Sequence, residues 1–211
     1  MGIESVYEAV LNGDAKKASS ETQAALAANV PAEELLHKAC IPAMTEVGRQ
    51  FEAGEKFVPE MLISARAMQA AMNVLRPILV EKDIKALGTV VVGTVSGDLH
   101  DIGKNLVKMM LEGAGFNVID LGVDVSPQKF VQTARDQSAQ IIGLSALLTT
   151  TMPSMKTTID TLKEAGLHGK IKVMIGGAPI TQDFANEIGA DGFAPDASSA
   201  TRKAKQLLGA A

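Results

Sequence analysis

The stretch Gly97-Asp98-Leu99-His100-Asp101-Ile102-Gly103 sets an imidazole between two carboxylates, with a glycine at either end. An acid two residues before a histidine can hold one ring nitrogen while the other faces a ligand or a metal. The same residues also suit a plainer purpose, in which Asp98 or Asp101 caps a helix and His100 is an ordinary loop residue. Farther along, Ser145 and Leu147 lead into the hydroxyl cluster Thr149-Thr150-Thr151, and Gly176-Gly177 closes another apolar run. Paired glycines at a strand end serve a tight turn or let a flat ligand lie against the main chain. Two common chemistries fail on spacing. No Gly-x-Ser-x-Gly elbow is present for a serine hydrolase. Gly93-Thr94-Val95-Ser96-Gly97 lacks the third glycine of a dinucleotide fingerprint and the Gly-Lys-Ser/Thr of a P-loop.

The elements that must position these residues follow from the pattern after Gly88. Five short apolar runs, 89–95, 117–121, 141–146, 171–175 and 191–194, alternate with helix-like segments near 104–113, 127–137, 153–165, 182–188 and 198–208. Strands alternating with helices of this length predict right-handed βαβ units and a parallel sheet covered on both faces. Five strands fit the flavodoxin-like, Rossmann-type order 2-1-3-4-5, with its ligand crevice between strands one and three. That crevice would gather the Asp98–His100 turn, Ser145, the threonines and the glycine pair. Ser145 is then placed to hydrogen-bond Asp98.

Residues 1–80 are rich in Ala, Glu, Lys, Gln and Met, which predicts helix. Four helices are expected, from Glu4 to Leu11, from an Asp14 cap to about Ala28, from Pro31 toward Phe51, and from Pro59 onward. Pro42 should break or bend the third, and Pro77 should end or kink the fourth. Met61, Leu62, Ala65, Met68, Met72 and Leu75 recur at three and four residues and make one apolar stripe. The charged segment 81–88 reads as a linker, dividing a helical domain 1–80 from an α/β domain 89–211.

Composition bounds the function classes. Of 211 residues 46% are hydrophobic, enough for real cores, and 24 acidic against 20 basic side chains give a net charge of −4. No basic stripe with aromatics points to nucleic acid, and no apolar stretch approaches membrane-spanning length. The single cysteine, Cys40, offers neither an internal disulfide nor a thiolate zinc cluster, which fits a reducing cytoplasm. The amino terminus has no basic and apolar leader pattern, so a cytoplasmic location is expected.

Asp98-x-His100-x-x-Gly103, then Ser145-x-Leu147, then Gly176-Gly177 resembles the signature of cobalamin-binding domains. Its spacing is similar to that of methionine synthase and of the corrinoid proteins of methyltransferase systems. Asp120-Leu121-Gly122-Val123 reads the same way. The first eighty residues resemble the four-helix cap of those proteins through Gly48, Phe51, Glu52, Gly54, Phe57, Pro59-Glu60 and 64–68. The resemblance implies a cobalamin or related corrinoid whose own base has left the cobalt, with His100 as the axial cobalt ligand. Asp98 would bond the far nitrogen of His100, and Ser145 would bond Asp98. Leu99, Asp101, Ile102, Gly103 and Thr150 would also bind the cofactor, whose tail would run past Gly93, Ser145, Leu147, Thr149, Gly176 and Gly177. Phe57, Val58, Met61, Leu62 and Ala65 would form an apolar lid.

The function so implied is a methyl carrier of one-carbon metabolism, inactive alone. Cobalt(I) would accept a methyl group from a substrate-specific methyltransferase, and methylcobalt(III) would pass it to an acceptor methyltransferase using folate, pterin or coenzyme M, with a reductive activase keeping the metal competent. A mutase would need a large barrel, and a light sensor would need a DNA-reading helix-turn-helix; neither is present in the sequence. A flavodoxin-like signalling receiver is the alternative from another class, along with a cobalamin-dependent sensor that transfers no methyl. A receiver would explain neither the helical cap nor His100.

Overall fold

A computed structural model of the chain describes residues 2–82 and 85–209. Two compact units divide it, Met1–Ala86 with Gly113–Gly115, and Leu87–Glu112 with Phe116–Ala211.

The first unit is helical. Helices α1 (Ile3–Leu11) and α2 (Ala15–Ala27) are joined by a turn in which Gly13 has φ +74, and a Cβ there would come within 2.7 Å of the Ile63 side chain. The Asp14 carboxylate caps α2 as expected, accepting from the Lys17 N–H at 2.9 Å. Pro42 does not break the third helix. Helix α3 (Ala32–Leu35) passes through a π-helical turn, Leu36–Cys40, into α4 (Ile41–Glu52), where Pro42 lies in the first turn. The widened turn lets the Ile41 N–H reach the Leu36 carbonyl, so the proline that follows interrupts no helical path.

Helix α5 (Val58–Glu81) opens with the Glu60 carboxylate accepting from the Phe57 N–H at 2.7 Å. It runs on through Pro77, since the bonds beyond resume, with the Lys82 N–H reaching Ile78. Helix therefore extends into the expected linker, of which Asp83 and Ile84 lie outside the described residues. Helix α5 packs along α2. Its Ser64 hydroxyl and the nearby Lys56 ammonium both donate to the Leu11 carbonyl, at 3.0 and 3.1 Å. That carbonyl ends α1 and would otherwise lack a partner.

The second unit is a parallel sheet wrapped by helices. Its elements are β1 (Thr89–Thr94), α6 (Ile102–Gly113), β2 (Asn117–Asp120), α7 (Pro127–Asp136), β3 (Ile141–Ser145), α8 (Pro153–Glu164), β4 (Lys172–Gly176), α9 (Gln182–Ile188), β5 (Gly192–Phe193) and α10 (Ala197–Leu207). The strand order is β2-β1-β3-β4-β5, as the alternation predicts, with all pairs parallel. Val90, Val91 and Val92 are buried because β1 has a strand on each side and helices on both faces. One core joins Val91, Ile142, Leu144, Val173 and Ile175 of the strands to Phe130, Met155, Ile159 and Leu162 of α7 and α8.

Candidate functional site

Strand β1 ends at Thr94, and the chain turns at once. The Asp98 N–H donates to the Val95 carbonyl at 3.1 Å, with Gly97 at φ +84 inside the turn. The turn delivers the Asp98 side chain into the protein, where it is fully buried. Its Oδ1 accepts from the His100 N–H at 3.1 Å and lies 2.7 Å from His100 Nδ1. Its Oδ2 accepts from the Leu147 and Leu148 N–H groups at 2.8 and 3.2 Å and lies 2.7 Å from Thr151 Oγ1. Burial opposes the charge on Asp98. The Leu147 N–H, the Thr151 hydroxyl and the two His100 donors outweigh it and hold the carboxyl well below the usual carboxylate range.

An ionised Asp98 can only accept, so Nδ1 of His100 carries the proton and Nε2 keeps its lone pair whenever the ring is neutral. The ring is half exposed, at 51 %. No described residue bonds Nε2. From the other side the buried Thr94 hydroxyl donates to the His100 carbonyl at 2.9 Å, which fixes the backbone beneath the ring. Around it Leu99 and Ile102 are 71 % and 83 % exposed, and Leu147, Leu148 and Val123 also reach solvent. Helix α6 begins at Ile102, earlier than the sequence suggests. Asp101 stands at its head and accepts from the Asn105 side chain at 2.9 Å.

The third member of the chain on His100 is Thr151, not Ser145. Ser145 is the last residue of β3, in register with Thr94 and Gly176, and its hydroxyl makes no bond to Asp98. The segment that follows swings over Asp98 and presents first two backbone N–H groups, then Thr151. Thr149 and Thr150 face solvent on the same turn. The hydroxyl-rich run was the available signal; which of its members turns inward depends on the path of the loop.

The glycines separate into two kinds. A Cβ on Gly177, at φ +137, would lie 1.8 Å from the Ala146 carbonyl oxygen, and one on Gly176 would lie 3.0 Å from that of Ala194. The pair therefore lets neighbouring strand ends approach each other. The place of a Gly93 side chain is filled by the Phe130 ring, 2.7 Å away, so core packing requires this glycine where a cofactor tail was expected to. Gly103 is different. Among the described residues nothing lies within 4 Å of a Cβ built there, so no packing contact demands glycine at this position.

Of the lid candidates, Phe57 and Val58 are exposed, Leu62 is half-buried, and Met61 and Ala65 are buried. Among the described residues no three His, Cys, Asp or Glu side chains gather to hold a metal ion by themselves. A single imidazole with a lone pair, on an apolar face left open at a glycine, suits a metal already carried in a flat macrocycle. The donor set fits a corrinoid.

The fold and this face define a cobalamin-binding protein with a helical amino-terminal part. The chain belongs to the B12-binding family, whose "B12 binding domain" matches residues 88–203, while a second family, also described as a B12 binding domain, matches residues 3–76. Trimethylamine corrinoid protein 1 of Methanosarcina mazei is 44% identical over 98% of this chain and 96% of its own length. Dimethylamine corrinoid protein 3 of the same organism is 50% identical over 78% of this chain and 99% of its own. Among solved structures, the methanol:cobalamin methyltransferase complex of Methanosarcina barkeri contains a chain 30% identical, with a TM-score of 0.87 over 99% of this chain and 80% of that one. A cobalamin-binding protein of Desulfitobacterium hafniense is 34% identical, with a TM-score of 0.82 over 98% of both. The helical match disfavours a signalling receiver, which has no use for such a part. Among the described residues no helix is long and apolar enough to cross a membrane.

Proposed function

We propose that this chain is a corrinoid methyl carrier that serves methyltransferases, with methylated amines as the class of methyl donor. Support for the role comes from the family and from relatives named as methylamine corrinoid proteins, matched along nearly their whole length. The amine class rests on those relatives' names, set against 30% identity to a methanol system. When bound, a corrinoid supplies a cobalt that can hold a methyl group and give it up. The acceptor side is a second methyltransferase using a folate, a pterin or coenzyme M, and a reductive activase restores the metal after oxidation.

The protein's own residues hold and tune. His100 offers Nε2 from a half-exposed ring; Asp98 fixes the tautomer and keeps the ring electron-rich; Thr151 and the Leu147 and Leu148 N–H groups keep Asp98 ionised and still. Leu99, Ile102 and Gly103 give a flat apolar seat. Leu147, Thr149 and Thr150 follow β3, and Gly176 ends β4 with Gly177 just beyond it, at the carboxyl ends of the strands, where a cofactor tail would pass. Of the residues expected to form a lid, Phe57, just before α5, and Val58, its first residue, are exposed, and Leu62 is half-buried.

The observation that carries this reading is the 2.7 Å contact between His100 Nδ1 and a fully buried, fully bonded Asp98. Added methylcobalamin should bind the full chain and show an imidazole-ligated spectrum. His100→Ala should still bind it but show a base-off spectrum. An unchanged spectrum in His100→Ala would mean that the lower ligand is another group.

A further inference from the structure

We propose that Asp124, on the loop between β2 and α7, is a positioning residue for His100. This rests on the reading of His100 as the ligand of a bound corrinoid. Asp124 touches neither His100 nor the seat beside it, and acts through the turn that carries Asp98.

Asp124 stands at φ +51, in the left-handed region that L residues seldom adopt and that Asp and Asn tolerate best. Such a conformation persists where its surroundings over-determine it. Here three bonds do so, all to the turn before His100. The Asp124 N–H donates to the Asp98 carbonyl at 3.0 Å. Its Oδ1 accepts from the Gly97 N–H at 2.7 Å and from the Ser96 hydroxyl at 3.3 Å.

These bonds continue the β1–β2 ladder past the end of β2. The Thr94 N–H reaches the Gly122 carbonyl and the Val125 N–H reaches the Thr94 carbonyl, both at 3.0 Å, and Val95 bridges Val125. Asp124 stands just before Val125 and ties that extension to the turn at 96–98. Within the turn Gly97 is at φ +84, and the Asp124 carboxylate supplies the acceptor for its N–H. The Ser154 hydroxyl, from α8, holds the Ser96 carbonyl at 3.1 Å on the opposite flank. Without the carboxylate the 96–97 peptide loses its fixed orientation, and the next residue is Asp98, whose Oδ1 decides where Nδ1 of His100 can sit. Glycine in place of Asp124 keeps the left-handed backbone and removes the acceptor; asparagine keeps both; alanine loses the acceptor and strains the backbone.

The test compares full-chain Asp124→Asn, Asp124→Gly and Asp124→Ala with wild type and with His100→Ala. Added methylcobalamin is read by its ratio of imidazole-ligated to base-off absorbance, and the cofactor-free chain by the nitrogen-15 NMR signals of Gly97 and of His100 Nδ1–H. Asp124→Asn should match wild type. Asp124→Gly should unfold within a few degrees of wild type, yet its ligation ratio should fall roughly tenfold, the factor corresponding to one charge-assisted hydrogen bond. Its His100 Nδ1–H signal should weaken or broaden. An Asp124→Gly protein with the wild-type ratio and an unshifted Nδ1–H signal would overturn the proposal, whether or not Asp124→Ala folds. If His100→Ala kept the imidazole-ligated spectrum, the ligand reading would fail instead, and the cofactor-free Nδ1–H signal would still decide the role of Asp124.

Discussion

A carboxylate taken out of water is tolerated when its lone pairs are filled, and Asp98 fills them from two directions at once. The histidine side uses Oδ1 and the β3–α8 loop uses Oδ2, so the acid couples the imidazole to a loop distant in sequence. Thr151 Oγ1 lies within reach of both Asp98 Oδ2 and the Leu148 carbonyl, at 2.7 and 2.8 Å, and has one proton to give. Thr151→Ala should therefore destabilise the chain by about 1–3 kcal/mol, the cost of leaving a buried polar group short of a donor. Thr151→Ser should recover most of it. Ser145→Ala should stay within about 0.5 kcal/mol of wild type, as a substitution that breaks no bond to Asp98. Urea unfolding of the three variants checks this, and a larger loss from Ser145→Ala than from Thr151→Ala would reverse the assignment. The Asp98–His100 pair was legible in the sequence because both residues lie on one turn and only their spacing matters. Thr151 was hidden for the opposite reason: a row of hydroxyls does not say which one the loop turns inward.

Elements were legible where period and punctuation agreed, as in the strand order and in α9, while of the two prolines expected to break or bend, and to end or kink, a helix, neither ends one. Pro42 is absorbed by a single widened turn, and Pro77 forfeits one N–H in a helix whose other bonds persist. The sequence also gave no sign of how α6 is fixed beside the histidine turn. Lys104, nearly fully buried, donates to Asp120 at the end of β2 at 2.6 Å, and the Gly122 N–H reaches the same oxygen at 2.9 Å. Burial works against the charge on Asp120, but these donors and the nearby Lys108 outweigh it and lower its pKa. A carboxyl whose folded pKa lies below its unfolded one adds stability that is complete above the unfolded value, about 3.9 for Asp, and fades as pH falls toward the folded one. Lys104→Met removes the chief lowering contact. It should cost about 1–3 kcal/mol near neutral pH, since Asp120 keeps Lys108 and the Gly122 N–H, and it should flatten the loss of stability below about pH 4. Urea midpoints at pH 6 and pH 3 measure both effects. A wild type and a Lys104→Met protein with parallel acid profiles would show that the pair carries no such linkage.

At the scale of the whole molecule, the chain divides into a helical unit and a sheet unit. Every residue assigned to His100, its hydrogen-bond chain and the apolar seat lies in the unit that starts at Leu87. That unit has its own core of valines, isoleucines and Phe130. A fragment beginning at Leu87 should therefore fold, bind added methylcobalamin and show the imidazole-ligated spectrum of the full chain. Each unit also leaves apolar side chains in water, Leu99 and Ile102 in one, Phe57 at 64 % exposure in the other, an arrangement that costs solvation unless something covers them. If the start of α5 shelters a methyl group, the fragment should lose methyl under light faster than the full chain, and Phe57→Ala in the full chain should fall between the two. The sheltering role leaves binding untouched, so affinity should be similar in all three while photolysis rates diverge. Equal photolysis rates would remove the shelter and leave the carrier; a folded fragment that refuses the cofactor would remove the assignment of the whole binding site to the sheet unit.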